Sequence, residues 1–271
     1  MRNYMLTIGW LYPQLMNTYG DRGNIMILQR RCEWRGIGVE IKNLDLGFKI
    51  DDLRVCDLLF MGGAQDRQQK IVSEDLFKKA DVLTRMIKDG TPGLYICGAY
   101  QFLGKYYKEA NGTIIKGLGI LDLYTENPGT NKPRLIGNVI IEIQDLRFKM
   151  YEEKNHKSSI VNRKSSALVG FENHGGRTYL GKGLKPLGKV LHGFGNNGKD
   201  KTEGVMYKNS FGTYLHGPIL PKNPNFADLL IKCALEKKYK KSIELSLLDD
   251  SLEYRAHQAV LKKQSYHAWR F

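Results

Sequence analysis

The chain has 271 residues, of which 42% are hydrophobic and 26% are charged, and it carries a formal net charge of +14 at pH 7. This composition predicts a globular protein with a sizeable core and excludes a fibrous or disordered chain. No apolar run is long enough to span a bilayer and no signal-peptide pattern opens the sequence, so we expect a cytoplasmic protein.

The cysteines support the same compartment. Cys32, Cys56, Cys97 and Cys233 lie far apart and form no CxxC pair, which argues against a zinc ribbon or a disulfide framework and suits a reducing environment. We therefore predict no metal site in this chain. The basic charge would suit an anionic partner, but no nucleic-acid motif with interleaved aromatic residues accompanies it, so we do not predict nucleic-acid binding.

Strand and helix patterns alternate over roughly the first 110 residues, which indicates an α/β fold with a mostly parallel central sheet flanked by helices. Sites in such sheets form at the carboxyl ends of the strands. The predicted strands are 5–11, 39–44, 57–61 and 94–96, and the predicted helices are 25–35 and 74–88.

The strand 94–96 stops at Cys97, and Gly98, Ala99 and a helical pattern follow. This pattern resembles a nucleophile elbow, which lifts a nucleophile out of the end of a strand. A helix N-terminus there would favour the thiolate, and the Gly98 amide would face a developing oxyanion. The alternative is a cysteine that only fills the core at a strand end.

A cysteine nucleophile needs a base, and His216 is the best placed of the six histidines. It ends the apolar run 210–216 and precedes Gly217, so we expect it at the sheet edge that carries Cys97. The alternative is that His216 only ends a strand. Gly62 and Gly63 follow the third strand, where small residues admit a ligand or form a tight turn.

The second half of the chain differs in pattern. We treat the whole chain, 1–271, as a single domain with a core over about 5–230 and a helical tail over about 240–271. The predicted segments are β-like runs at 135–143 and 168–172, a polar basic insert at 147–166, a hairpin or loop at 181–204, and helices at 225–239 and 245–268.

Three motifs together resemble class I glutamine amidotransferases of the cobyric-acid-synthase type. They are Cys-Gly-Ala-Tyr-Gln at 97–101, Gly-Gly-Ala-Gln-Asp at 62–66 and Gly-Thr-Tyr-Leu-His-Gly at 212–217. The segments 17–24, 62–67 and 170–176 are further similar to the glutaminase subunits of enzymes that amidate lipid II. The resemblance covers about residues 5–230 and implies a flavodoxin-like class I glutamine amidotransferase fold.

The resemblance also implies a mechanism. Cys97 would attack the side-chain amide of L-glutamine, and His216 would protonate the departing ammonia and then activate water. The backbone amides of Gly98 and Gly63 would form the oxyanion hole. Arg134 matches the substrate-binding arginine of the family, and its guanidinium would hold the α-carboxylate of glutamine by a bidentate pair.

The identity of a third catalytic acid stays open. Many class I glutaminases have a glutamate two residues after the histidine, where this chain has Pro218. Either a Cys–His dyad suffices, or an acid comes from elsewhere, with Glu172 and Asp21 as candidates. Glu172 would equally pair with a nearby base, and Asp21 would equally cap the first helix. For His174 we favour a structural hydrogen bond.

The resemblance implies a heterodimer with a MurT-type, Mur-ligase-like subunit that amidates the D-glutamate of lipid II to D-isoglutamine. No Walker-type phosphate loop is present, so ATP and magnesium would belong to that partner and this chain would hold no cofactor. The alternatives are a glutaminase for another synthetase, such as a cobyrinate-amidating enzyme, or an inactive scaffold. We hypothesise that the basic insert 147–166 is a flap near the partner or the inner membrane face, where lipid II resides.

Overall fold

The computed structural model describes residues 4–143, 145, 147–148 and 167–267, with side chains described up to residue 262. The predicted basic insert 147–166 therefore lies outside the described residues, apart from Arg147 and Phe148. The last four residues of the predicted C-terminal tail lie outside them as well. The hypothesis of a basic flap stays a prediction.

A six-stranded sheet with the order β13-β14-β4-β3-β1-β2 forms the centre of the molecule. All neighbouring strands are parallel except the edge pair of β13 and β14, so the expected mostly parallel sheet is confirmed. The strands are β1 Met5–Leu11, β2 Gly38–Leu44, β3 Leu58–Met61, β4 Gly93–Ile96, β13 Val205–Tyr207 and β14 Ser210–Thr213. The flanking helices are α1 Arg22–Glu33, α2 Ile50–Arg54, α3 Asp66–Phe77, α4 Ala80–Lys88, α5 Gly98–Phe102 and α6 Pro224–Tyr239.

The helix predicted over 74–88 is wrong, because the chain forms α3 and α4 with a break at Lys79. Lys79 is only 5% exposed and leaves helical geometry at φ −110° and ψ 0°. Its ammonium group pairs with Asp75 and lies over the ring of Phe48. Burying this cation against its partners turns the chain, which the apolar periodicity alone does not reveal.

Two smaller sheets, of four strands each, accompany the central sheet. One has the order β10-β7-β5-β6 and the other the order β12-β11-β8-β9. The predicted β-like runs pair antiparallel as β8 and β9, and the glycine-rich stretch contains the antiparallel pair β11–β12. The strands are β5 Tyr106–Lys108, β6 Ile114–Lys116, β7 Leu123–Glu126, β8 Leu135–Ile143, β9 Ala167–His174, β10 Arg177–Leu180, β11 Gly188–His192 and β12 Thr202–Glu203.

The C-terminal helix α7, Ser251–His267, begins six residues later than predicted. Its Val260 and Leu261 pack on a small cluster formed by Ile140, Ala167 and Val169. No helix in the part of the chain that the structure describes combines the length and the apolar character needed to cross a bilayer.

Candidate active site

Cys97 occupies a strained bend between β4 and α5. Its backbone adopts φ 51° and ψ −105°, and its amide donates to the carbonyl of Thr213 at 2.8 Å. A positive φ at a residue with a Cβ costs free energy and persists only where the surrounding structure enforces it. The elbow places the thiol on the wall of a cavity of about 510 Å³. Cys97 is therefore at a pocket and does not only fill the core.

The other cysteines have a different environment. Burial raises the pKa of Cys32 and of Cys56 to about 12, and that of Cys233 to about 11. Thiols with such pKa values stay protonated and unreactive at neutral pH. These three cysteines therefore serve as core residues.

His216 lies three residues beyond the end of β14, so the strand predicted over 210–216 is shorter than expected. A backbone bridge to Phe171 of β9 holds the histidine: the His216 amide donates to the Phe171 carbonyl at 2.7 Å, and the reverse bond is 3.1 Å long. The ring of Tyr19 packs edge-on against the imidazole, with 5.0 Å between the ring centroids. These contacts fix the imidazole beside Cys97.

Asp21 supplies the acid that the sequence left undecided. Its Oδ1 lies 3.2 Å from Nδ1 of His216, and both side chains are fully buried. Asp21 precedes α1 but makes no side-chain capping bond there. Of the two predicted candidates, the structure brings Asp21 to the histidine, whereas Glu172 receives the amides of Phe194 and Gly195 at 2.6 and 2.9 Å.

The protonation of His216 follows from this arrangement. Burial alone lowers the pKa of the imidazole, but the charge and hydrogen bond of Asp21, together with Cys97, outweigh it and raise the pKa to about 10. The second ring nitrogen, Nε2, is buried without a hydrogen-bond partner among the described residues. An imidazolium with an unused N–H next to a thiol is the state that stabilises a thiolate.

Glycine at position 63 is required by close packing. A Cβ there would lie 2.7 Å from Cε1 of His216 and 3.2 Å from Cβ of Cys97. The neighbouring Gly62 approaches the carbonyl of Met16 so closely that a Cβ would lie 2.4 Å from it. The two glycines therefore make room for the side chains of Cys97, Asp21 and His216.

The predicted role of the Gly63 amide does not fit the structure. This amide donates to Oδ2 of Asp21 at 2.7 Å, and an amide has only one hydrogen to give. The amide of Gly98, in contrast, is the first of α5, where amides have no partner within the helix. The amide nitrogen of Ala64 lies 3.3 Å from the Cβ position of Gly98. The amide of Ala64 is therefore a candidate second donor beside Gly98, whereas the amide of Gly63 is already used.

Arg134 lines the same cavity. Its Nε donates to Oδ1 of Asn173 and its Nη2 to the carbonyl of Asn173, both at 2.8 Å. These bonds use one edge of the guanidinium. The other edge, formed by Nη1 and the second hydrogen of Nη2, has the geometry for a bidentate bond to a carboxylate.

His174 has the structural role that was expected. Its Nδ1 lies 2.8 Å from the carbonyl of Gly176, and its ring stacks on Tyr214 with 3.6 Å between the centroids. Burial lowers the pKa of His174, although the nearby Glu172 opposes this shift. The imidazole is therefore neutral and serves as part of the pocket wall.

The floor of the cavity is a chain of polar side chains that the sequence analysis did not identify. Gln69 donates to Oε1 of Gln101 at 3.2 Å, and Gln101 donates to the hydroxyl of Tyr214 at 3.1 Å. All three are buried. Gln101 and Tyr214 stood within motifs, whereas no local pattern marks Gln69. The residues described contain no group of three or more His, Cys, Asp or Glu side chains arranged to hold a metal ion.

The fold and this cavity define a class of enzyme. Residues 7–224 match the family model of the CobB/CobQ-like glutamine amidotransferase domain. A solved structure described as a glutamine amidotransferase shares the fold, with a TM-score of 0.54 at 15% identity over 84% of this chain and 98% of that one. The chain belongs to the CobB/CobQ-like glutamine amidotransferase family and is a glutamine amidotransferase.

Two curated relatives are similar over nearly the whole chain. The lipid II isoglutaminyl synthase (glutamine-hydrolyzing) subunit GatD of Staphylococcus aureus strain N315 is 42% identical over 260 residues, which cover 95% of this chain and 96% of that protein. The protein of the same name from Streptococcus pneumoniae strain ATCC BAA-255 / R6 is 42% identical over 249 residues, which cover 92% of this chain and 88% of that protein.

Proposed function

We propose that this chain is the glutaminase subunit of a lipid II isoglutaminyl synthase. It hydrolyses L-glutamine to glutamate and passes the ammonia to a MurT-type ligase subunit, which amidates the D-glutamate of lipid II. The observation that carries the hydrolytic part is Cys97 on the wall of the cavity, with the buried and hydrogen-bonded pair of His216 and Asp21 next to it. The similarity to two GatD subunits over nearly the whole chain supports lipid II as the acceptor of the ammonia.

The chemistry follows from the charges. At neutral pH the raised pKa of His216 keeps the imidazole protonated, which stabilises Cys97 as a thiolate. The thiolate sulfur forms a bond with the carboxamide carbon of glutamine. The C–N bond then breaks, and nitrogen takes the proton of His216 and leaves as ammonia. The neutral imidazole next takes a proton from water, whose oxygen bonds to the thioester carbon. The C–S bond then breaks, which releases glutamate and restores the Cys97 thiolate beside the protonated His216.

The developing oxyanion needs donors close to Cys97. In this proposal the amides of Gly98 and Ala64 supply them, because the Gly63 amide holds Asp21. Asp21 keeps the imidazole in one orientation and balances its charge. Arg134 takes the α-carboxylate of the substrate.

In this proposal the chain supplies ammonia, and the ligase subunit supplies the rest of the amidation step. ATP and magnesium would belong to that ligase subunit. In this proposal the two subunits form a heterodimer in the cytoplasm, since all four cysteines are unbridged. The basic insert 147–166 contacts the ligase or the membrane surface that holds lipid II.

The test is ammonia release from glutamine, with and without the co-expressed ligase subunit, for the wild type, Cys97→Ser and His216→Ala. We expect both variants to lose at least about 10³-fold in rate, since each removes a group that takes part in bond making. Cys32→Ser is the control, because that thiol is buried away from the cavity and should leave the rate unchanged.

Three outcomes would contradict parts of the proposal. Turnover that survives in Cys97→Ser would remove the nucleophile. Absence of turnover in the wild type with its ligase would favour an inactive scaffold. Amidation of a cobyrinate-type acceptor, with lipid II unchanged, would assign the glutaminase to a different synthetase.

A further inference from the structure

The cavity beside Cys97 has one carboxylate in its wall, and the hydrolysis of an amide does not use it. Asp66, the first residue of α3, is half-buried and lines the cavity together with Cys97 and Arg134. The hydroxyl of Tyr107 donates to its Oδ1 over a long 3.4 Å contact. Asp66 therefore faces the substrate space with part of its hydrogen-bonding capacity unused.

The carboxylate of Asp66 has an acidic neighbour as well as two cations nearby. Glu109, only 4% exposed, lies close by, and Lys70 pairs with Glu109 at 2.8 Å. Burial and the charge of Glu109 raise the pKa of Asp66, although Tyr107, Lys70 and Arg134 act in the opposite direction. A positively charged ligand group beside Asp66 would remove this imbalance.

The position of Asp66 matches one group of the substrate. Glutamine spans the cavity with its carboxamide at Cys97 and its α-carboxylate at Arg134, and its ammonium group is bonded to the carbon that carries the carboxylate. Arg134 is close enough to Asp66 to influence its ionisation, and Tyr107 is close enough to Cys97 to be influenced by it. Asp66 and Tyr107 line the same cavity as the two residues that fix the substrate, Cys97 and Arg134.

We propose that Asp66, with Tyr107 beside it, binds the α-ammonium group of glutamine and makes the enzyme selective for a free amino acid. This inference rests on the proposed glutaminase function. Amides without the amino group, and glutamine residues within peptides, lack the ammonium and are rejected. Arg134 then binds the α-carboxylate of the zwitterion, and Asp66 binds its α-ammonium group.

The test compares L-glutamine with 4-carbamoylbutanoate, which keeps the carboxylate and the carboxamide but lacks the amine. Asp66→Asn, in complex with the ligase subunit, should lower kcat/KM for glutamine about 10- to 100-fold, mainly through KM, because a charge-assisted hydrogen bond is lost. The same variant should change kcat/KM for 4-carbamoylbutanoate less than about twofold. Glu74→Gln is the matched control, since Glu74 is an exposed acid on the same helix.

Two further measurements separate this inference from the proposed function. Alkylation of Cys97 by iodoacetamide should proceed at the same rate in the wild type and in Asp66→Asn, which shows that the thiol environment is intact. Calorimetric binding of glutamine to Cys97→Ser should weaken about 10-fold or more when Asp66→Asn is added. Equal losses for both substrates, or unchanged glutamine binding in the double variant, would overturn the role of Asp66 even if the glutaminase reaction is established. Absence of ammonia release by the wild type would instead contradict the proposed function, and the binding measurement would still decide on Asp66.

Discussion

At the scale of single residues, the carboxylate of Asp21 links two parts of the site. One of its oxygens accepts from Nδ1 of His216, 195 positions away, and the other accepts from the amide of Gly63. The side chain of Asp21 therefore positions both the imidazole of His216 and the turn at Gly63. A carboxylate that only balanced the charge of His216 would not need the second hydrogen bond, from the Gly63 amide.

Asp21→Asn tests this role. Without the carboxylate the pKa of His216 falls from about 10, so less imidazolium is available near neutral pH. We expect kcat to fall about 10²- to 10⁴-fold and the alkaline limb of the pH profile to move to lower pH. Glu33→Gln, at the far end of α1, is the control. A pH profile identical to that of the wild type would exclude the pairing.

Gly63→Ala tests the close packing at the same point. The added Cβ would lie 2.7 Å from Cε1 of His216, so the imidazole must move away from Cys97. We expect a loss of glutaminase activity of about 10²-fold or more with the protein still folded, measured by ammonia release and circular dichroism. Gly38→Ala is the control, because its nearest atoms are at an ordinary 3.5 Å. Full activity in Gly63→Ala would show that the imidazole of His216 can move aside without losing its function.

At the scale of secondary-structure elements, an ionic cluster fastens the C-terminal part of the chain to α1. Arg31 is fully buried and bonds both Asp228 of α6 and Asp250, which directly precedes α7. Arg35 makes two more bonds to Asp228, at 2.9 and 2.6 Å. These contacts tie three helices together behind the site.

Arg31→Ala should destabilise the protein by about 3–5 kcal/mol, since it leaves buried carboxylates without one of their cations. Urea denaturation measures the change. Arg30→Ala on the same helix is the matched control: this arginine is 66% exposed, and its loss should cost less than about 1 kcal/mol. Equal effects of the two substitutions would show that the buried cluster contributes no more than a surface pair.

At the scale of the whole molecule, two buried groups make stability depend on pH. Glu203 accepts the amide of Tyr214 at 2.6 Å and the hydroxyl of Thr213, and burial raises its pKa from 4.5 to about 8. The pKa of His216 is raised from 6.5 to about 10. A raised pKa gives stability that is complete below the unfolded-state value and is lost as pH rises through the folded-state value.

The free energy of unfolding should therefore fall between about pH 5 and pH 10. The pKa of Glu203 is 4.5 in the unfolded chain and about 8 in the folded protein, so Glu203 contributes to the decline between these two pH values. Glu203→Gln removes this contribution, and the free energy of unfolding should then change less over the lower half of the pH range. Urea denaturation at several pH values measures it, with Glu244→Gln, an exposed acid, as the control. An unchanged slope in Glu203→Gln would mean that Glu203 does not ionise over this range.

The sequence by itself determined the parallel sheet and the elbow, because apolar alternation and small residues act locally. The strand ending at Ile96, the turn at Cys97 and Gly98, and the position of His216 near a strand end all follow from neighbours in the chain. The family motifs added the assignment to glutamine amidotransferases. Each strand, turn and motif is encoded within about a dozen residues, and the parallel sheet follows from the order of these elements along the chain.

Only the tertiary structure decided which acid serves the histidine and which amides remain available. Asp21 and Glu172 both stood in plausible motifs, and the choice depends on contacts between residues nearly two hundred positions apart. The same holds for the Gly63 amide, which Asp21 occupies, and for the break at Lys79. Hydrogen bonds of this kind depend on distance in space and leave no periodic trace along the chain, so they become visible only when the strands and helices are packed together.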